Sequence, residues 1–421
     1  MTPTSLTAIL ACVISVSAAA QSVKPVLYLR EHNIEHLSEY YTYWLQPFDE
    51  PGQPELADAQ YRRGAFVYGD WHKPLKVSGA RQRLWVRMTV VNTDSGNSHF
   101  VWSCPDFVDA ATLFRSTPIG FVKVSTGTCW DIASRRGFPT RPLCLPFSLA
   151  YGEMTALYLA IDEHSDTRSF FLDIQPTADL MQAEQRFVFD RHWFWLFGLY
   201  VFGCVFSLIL FAALRDRFYL WSFGFVLLST VFLLMEDNLD GLILPQWLYT
   251  AIRHVGQYNF LLLGSATGIR MMQAFVRQRV RSPRIYSIGT GLIGLSLLYV
   301  LFTIVLQNRF PLARLTASPL INWGRAGVIG VNLTFTMGSL LLAAVQRNRA
   351  AIYYGITFCF FFFSGALFLC DQLGIRSFNL MQPNVLAWGL FFQLLTLSVL
   401  LTGRFRYRTA RAAVRAVRAA A

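Results

Sequence analysis

The chain has 421 residues, of which 54% are hydrophobic and 15% aromatic, with a formal net charge of +12. Only 15% is charged, against roughly a quarter in soluble domains, which excludes an ordinary soluble globular protein. The basic balance does not point to nucleic acid, because the arginines fall in short breaks between apolar runs and in the C-terminal stretch, where phospholipid headgroups are the expected counter-charge.

Residues 1–20, MTPTSLTAILACVISVSAAA, read as a secretory signal. An apolar stretch from Leu6 to Val16 precedes Ala18, Ala19 and Ala20, a small-residue cleavage site before Gln21. Its start holds no Lys or Arg. Export permits disulfides. The exported part holds Cys104, Cys129 and Cys144, an odd set in which Cys129 with Cys144 is the expected pair. Cys204, Cys359 and Cys370 lie in apolar spans as packing residues.

Residues 21–185 form the expected exported β domain. Leu84, Val86, Met88 and Val90 alternate with polar or aromatic neighbours, and Thr155–Ile161 and Ser169–Ile174 read as further strands. Turn-rich breaks such as Asn92-Thr93-Asp94-Ser95-Gly96 separate them, as in an antiparallel sandwich or jelly roll. His32-Asn33-Ile34-Glu35-His36 matches a zinc-protease spacing, with two histidines one helical turn apart. With no evident long helix and no third ligand it reads as a solvated segment, and no metal or other cofactor is expected. Aromatic rings stack on sugar faces, so Trp71, Trp102 and Trp130, with Asp106 nearby, are the candidate ligand-binding residues. The competing reading places such rings in the core.

Residues 190–402 contain seven apolar runs of about the 20 residues a membrane helix needs. They are His192–Leu214, Phe218–Met235, Val255–Phe275, Ile285–Leu306, Arg325–Val345, Ala351–Cys370 and Asn384–Leu401. The first, third and fifth connections and the tail are arginine-rich, whereas the others carry Glu236, Asp237, Asp240 and Asp371 with few arginines. The positive-inside rule then puts the tail in the cytoplasm and the β domain outside, as the signal segment also requires. Glu236–Asp240 at a helix end is expected to be a wet loop, a cation site or a contact with the β domain. His254, Gln257 and Asn259 open the third span and are expected to pair within the bundle. No series of buried acidic groups or lysines runs through the spans, as a proton-coupled transporter would need. There is also no P-loop, nucleophile elbow or Cys-x-x-Cys.

The tail, residues 403–421, ends in RYRTARAAVRAVRAAA. Arg404, Arg408, Arg411, Arg415 and Arg418 are spaced 4-3-4-3, which places them on one face of a helix, suited to anionic lipid or an acidic partner.

The whole pattern resembles the bacterial seven-transmembrane receptors with diverse intracellular signalling modules. The resemblance rests on Leu84-Trp85-Val86-Arg87 with Asn92, Pro146-Phe147-Ser148-Leu149, Gly152 and Leu157-Tyr158-Leu159 in the β part. In the helical part it rests on Phe197-Gly198-Leu199-Tyr200 and on Leu214-Arg215-Asp216-Arg217-Phe218-Tyr219-Leu220. It implies an inner-membrane sensor whose periplasmic domain, similar to the family's type 2 extracellular domain, is a carbohydrate-binding-like jelly roll. Such a sensor binds a small molecule or glycan and shifts a seven-helix bundle. About twenty residues follow the last span, so the output is expected from a separate cytoplasmic signalling protein, with no catalysis by this chain. The alternative is a membrane enzyme or transporter accessory subunit acting on lipid or glycan, with Glu236–Asp240 and Asp371 as its only candidate cluster.

Overall fold

The computed structural model describes residues 26–30, 37–47, 50, 52–69, 75–76, 82–104, 108, 110–162, 169–170, 173–186, 193–309, 311–372 and 385–400. The expected signal segment, the His32–His36 pattern, Trp71, Asp106 and the stripe of Arg404, Arg408, Arg411, Arg415 and Arg418 lie outside these residues.

The N-terminal half is built from β1 (Leu27–Leu29), β2 (Tyr41–Pro47), β3 (Val67–Tyr68), β4 (Leu75–Lys76), β5 (Gln82–Asn92) and β6 (His99–Cys104). It continues with β7 (Ala110–Thr117), β8 (Gly120–Thr128), β9 (Leu143–Ser148), β10 (Met154–Asp162), β11 (Ser169–Phe170) and β12 (Asp173–Pro176). The larger sheet runs β3-β2-β5-β10-β7-β8, and a smaller one runs β12-β6-β9. Pairing is antiparallel except at β1, which runs parallel to β5 and shares its edge with β2. The stretch expected as one strand over Ser169–Ile174 contributes to two, because β11 pairs with β4 and β12 with β6.

Alternation decides what the sheets bury. Leu84, Val86, Met88 and Val90 of β5 face inward and are fully buried. Across the core they meet Phe100 and Trp102 of β6 and Leu143 and Leu145 of β9, beside Leu157, Leu159 and Ile161 of β10. Each such side chain contributes about 1.5–3 kcal/mol on full burial. Trp102 is therefore corrected from ligand-binding candidate to core residue. It is 0% exposed, between the two sheets, with no free ring face.

The opposite face of β5 is also covered. Helix α1 (Pro54–Arg62) lays Ala57 over Trp85, Tyr158 and Ala160. The polar groups under it are paired: Trp85 donates to Gln46 at 2.6 Å, Arg87 donates to the Tyr158 hydroxyl at 2.9 Å, and Tyr158 donates to Asp58 at 2.6 Å. The Arg87 guanidinium also lies 3.7 Å from the Tyr61 ring centroid. The expected Cys129–Cys144 bond is not formed. Cys144 points away from the core, packed with Val101 and Leu180, its sulfur 3.6 Å from the Ser103 hydroxyl. Cys129 lies past the end of β8, where its carbonyl is held by the helical half.

Helix α2 (Thr177–Gln185) precedes the helical half. That half comprises α3 (Trp193–Leu214), α4 (Arg217–Glu236), α5 (Asp240–Ile243), α6 (Gln246–Val255), α7 (Gln257–Val276), α8 (Gln278–Arg281), α9 (Pro283–Arg309), α10 (Pro311–Val345), α11 (Arg349–Gln372) and α12 (Val385–Leu400). Among the described residues α3, α4, α9, α10 and α11 are long and apolar enough to cross a membrane. Helix α7 matches them in length but carries Asn259, Arg270 and Gln273, and α12 is shorter. Helix α10 starts at Pro311, and its membrane span, Trp323–Val345, agrees with the expected Arg325–Val345. One expected boundary moves. Val255 ends a separate helix, α6, because Gly256 adopts φ 87°, ψ 134°, a conformation open essentially to glycine, before α7 begins.

Ring contacts fix which ends meet. Phe218 and Phe275 lie 5.2 Å apart and Phe275 and Tyr354 5.1 Å apart, joining the start of α4, the end of α7 and the start of α11. At the other end Phe232 lies 5.6 Å from Phe368. The first end carries a recurrent turn: Arg215-Asp216-Arg217, Arg277-Gln278-Arg279 and Arg347-Asn348-Arg349, with the first arginine left-handed in each, at φ 49°, 57° and 55°. Inside the bundle, Asn332 donates to Ser265 at 2.9 Å and Ser296 at 3.0 Å, joining α7, α9 and α10. Tyr200 donates to the Ala387 carbonyl at 2.8 Å, tying α3 to α12.

Candidate functional site

The β domain meets the bundle at the end opposite the arginine turns, on a ledge formed by the end of α4, α5 and α6. The ledge begins where α4 stops. Asn238 takes a left-handed conformation, φ 54°, which turns the chain out of the helix. Gly256 ends the ledge by redirecting the chain into α7. Between them, Gln246, Tyr249, Thr250 and Arg253 recur at positions i, i+3, i+4 and i+7 of α6 and so share one face. That face meets the segment after β8.

Gln246 grips this segment with both ends of its amide. It accepts from the Ile132 backbone N–H at 3.1 Å and donates to the Trp130 carbonyl at 2.9 Å. Tyr249 donates to the Cys129 carbonyl and accepts from Arg136 Nη2 at 3.3 Å. Burial pushes the Tyr249 phenol up, against the lowering effect of Arg253, so it stays protonated and able to donate. Arg136 also shapes the segment itself, donating to the carbonyls of Asp131 at 2.9 Å and Arg141 at 2.9 Å.

Beneath Tyr249 lies an ion pair. Arg253 Nε donates to Asp240 at 3.1 Å and Nη2 to Asn238 at 2.9 Å, and the Asp240 side chain is 1% exposed. Burial, the largest effect, would lower the Arg253 guanidinium, but the Asp240 carboxylate together with Tyr249 and Cys129 offsets this and raises it. A second strap runs through Arg141, which clasps Glu184 of α2 by two bonds of 2.9 and 2.8 Å and reaches the Asp237 carbonyl at 3.3 Å. Because α2 precedes the first membrane helix, this strap links the β domain, its exit helix and the ledge.

Trp130 lies at this joint, its ring 5.1 Å from the His254 imidazole. It is thus separated from Trp102, and the two do not line a common surface. The Glu236–Asp240 segment takes the domain-contact role among those expected for it through the Asp237 carbonyl, which accepts from Arg141, while Glu236 accepts from Gln257 and Asp240 pairs with Arg253 within the helical half. Asn259 accepts from Thr303 at 3.0 Å within the bundle. Arg136, Arg141, Gln246, Tyr249 and Arg253 escaped the sequence reading. The available signal was that Arg253 is an arginine on the acidic side of the bundle, flanked by the helix breakers Pro245 and Gly256. Among the described residues no group of three or more His, Cys, Asp or Glu side chains is placed to hold a metal ion.

The β domain is thus held by a polar joint to one end of the helical bundle, with the arginine turns at the other. A comparison with curated proteins finds no match. The family model described as 7TM diverse intracellular signalling matches residues 190–404, which span α3 to α12. The chain belongs to this family of multi-pass membrane proteins.

Proposed function

We propose that the protein is a sensory receptor of the bacterial inner membrane, with the β domain in the periplasm and the arginine turns in the cytoplasm. The β domain takes a small-molecule or glycan ligand, the joint passes the change to the bundle, and a cytoplasmic signalling protein reads it. The chain acts as a receptor and performs no catalysis of its own. The observation that carries this reading is the joint: Gln246, Tyr249 and Arg141 tie the segment after β8 to the ends of α4 and α6, so a shift of the β domain is transmitted to membrane helices. For relay the bundle needs two arrangements that the ligand binds unequally. Of the acidic groups the lipid- or glycan-modifying alternative would use, Glu236–Asp240 with Asp371, Glu236 and Asp240 are already paired within the helical half, which counts against it.

The test uses a photo-cross-linker at Val280, an exposed residue among the arginine turns, in native membranes. The expected result is capture of a cytoplasmic kinase, cyclase or similar signalling protein, with a yield altered at least about threefold by Gln246→Ala in an otherwise normally folded chain. Capture of no signalling protein, or a yield indifferent to the joint, would overturn the reading.

A further inference from the structure

We propose that Arg270, between α7 and α9, is the core of a binding site for the phosphate headgroup of an anionic phospholipid. The inference is independent of the receptor reading. Arg270 lies six residues before the end of α7 at Val276, about 9 Å inside the bundle at 1.5 Å per residue. A cation at such a depth is costly unless it is paired. Among the described residues no carboxylate pairs with it. Its bonds go to neutral oxygens through one nitrogen: Nη1 donates to Gln273 at 3.2 Å, the Tyr286 hydroxyl at 3.0 Å and Thr290 at 3.3 Å.

These contacts fix the guanidinium plane without neutralising it. Gln273 is itself held by the Tyr286 carbonyl at 3.1 Å, and the Tyr286 ring centroid lies 5.6 Å from the guanidinium carbon. Nε and Nη2 make no hydrogen bond among the described residues and the side chain is half-buried, so two donors remain for an oxyanion. A guanidinium edge matches two phosphate oxygens at once. The anion a bilayer supplies at this end of the helices is the lipid phosphate at the interface, which a long side chain reaches by extending towards it. The exposed Arg277, Arg279, Arg281 and Arg284 at the same end raise the local concentration of anionic headgroups.

The test compares the full chain, wild type and variants, in nanodiscs of phosphatidylcholine and of phosphatidylglycerol, with lipid retention read by native mass spectrometry. Wild type is expected to retain phosphatidylglycerol at least about fivefold over phosphatidylcholine. Arg270→Gln should lower that preference to about twofold or less, Arg270→Lys should fall between, and Arg63→Gln, at an exposed position of the β domain, should stay near wild type. The Arg270→Gln variant removes an uncompensated charge, so its thermal unfolding in phosphatidylcholine should be unchanged or later, and only the extra stability conferred by phosphatidylglycerol should be lost. An unchanged lipid preference in Arg270→Gln, or equal destabilisation in both lipids, would overturn the site. A saturable, Arg270-dependent thermal shift with inorganic phosphate in detergent, without lipid discrimination, would also overturn it and assign the oxyanion to a free phosphate.

Discussion

At Arg253 opposing effects meet: burial disfavours the guanidinium, and Asp240, with Tyr249 and Cys129 beside it, compensates. Such a pair adds little over an apolar replacement, but breaking one side leaves a buried charge. Asp240→Asn should therefore cost about 3–5 kcal/mol, whereas Asp240→Leu combined with Arg253→Met should restore most of the loss. Thermal unfolding of Asp240→Asn, of Asp240→Leu and Arg253→Met singly, and of the double variant in nanodiscs checks this, and additive losses in the double variant would contradict it. Gln393 is the reverse case. It is fully buried in α12, and both its amide oxygen and nitrogen lack partners among the described residues. Leaving polar groups unpaired costs about 1–3 kcal/mol, so Gln393→Met, of similar volume, should raise the unfolding temperature. An unchanged or lower value would show that the amide is satisfied in the membrane.

Among the elements, the β6 strand and the α6–α7 break are each sensitive to a single substitution. Trp102 is locked between the sheets, so Trp102→Ala should destabilise the chain by about 3–5 kcal/mol through a cavity; loss of a ligand with full stability would return it to a binding role. Gly256→Ala forces a Cβ into φ 87°, ψ 134°, at about 1–3 kcal/mol. It should also weaken any cross-link between cysteines introduced at Ile132 and Gln246, because α6 is re-aimed. Both positions show what was legible in the sequence. The alternation of Leu84 to Val90 has period two, and that alone assigns its inner face. The spans are legible because membrane helices are set by length and apolarity. The joint was not legible: its partners lie 96 residues apart in Arg141 with Asp237 and 116 in Trp130 with Gln246, and they use backbone carbonyls, which no side-chain pattern reports. Trp102 was misread because a tryptophan in an alternating strand looks the same whichever face it occupies until the partner sheet is placed.

For the whole molecule, charge and shape agree. The β domain docks at the end that carries Asp237 and Asp240, while the three Arg-x-Arg turns lie at the other. Arginines near the ends of spans resist translocation, and the anionic inner leaflet attracts them by about 1 kcal/mol each. The two ends should therefore differ in access. Ile119, in the turn between β7 and β8, is 99% exposed, and Val280, among the arginines, is 84% exposed. A membrane-impermeant maleimide should label an Ile119→Cys variant in intact spheroplasts and a Val280→Cys variant only after lysis, with labelling of the unsubstituted chain subtracted as background from its native cysteines. Labelling of the Val280 position before lysis, with the Ile119 position protected, would invert the chain in the membrane. It would also put the joint on the cytoplasmic side, where it could not pass a periplasmic signal to the helices.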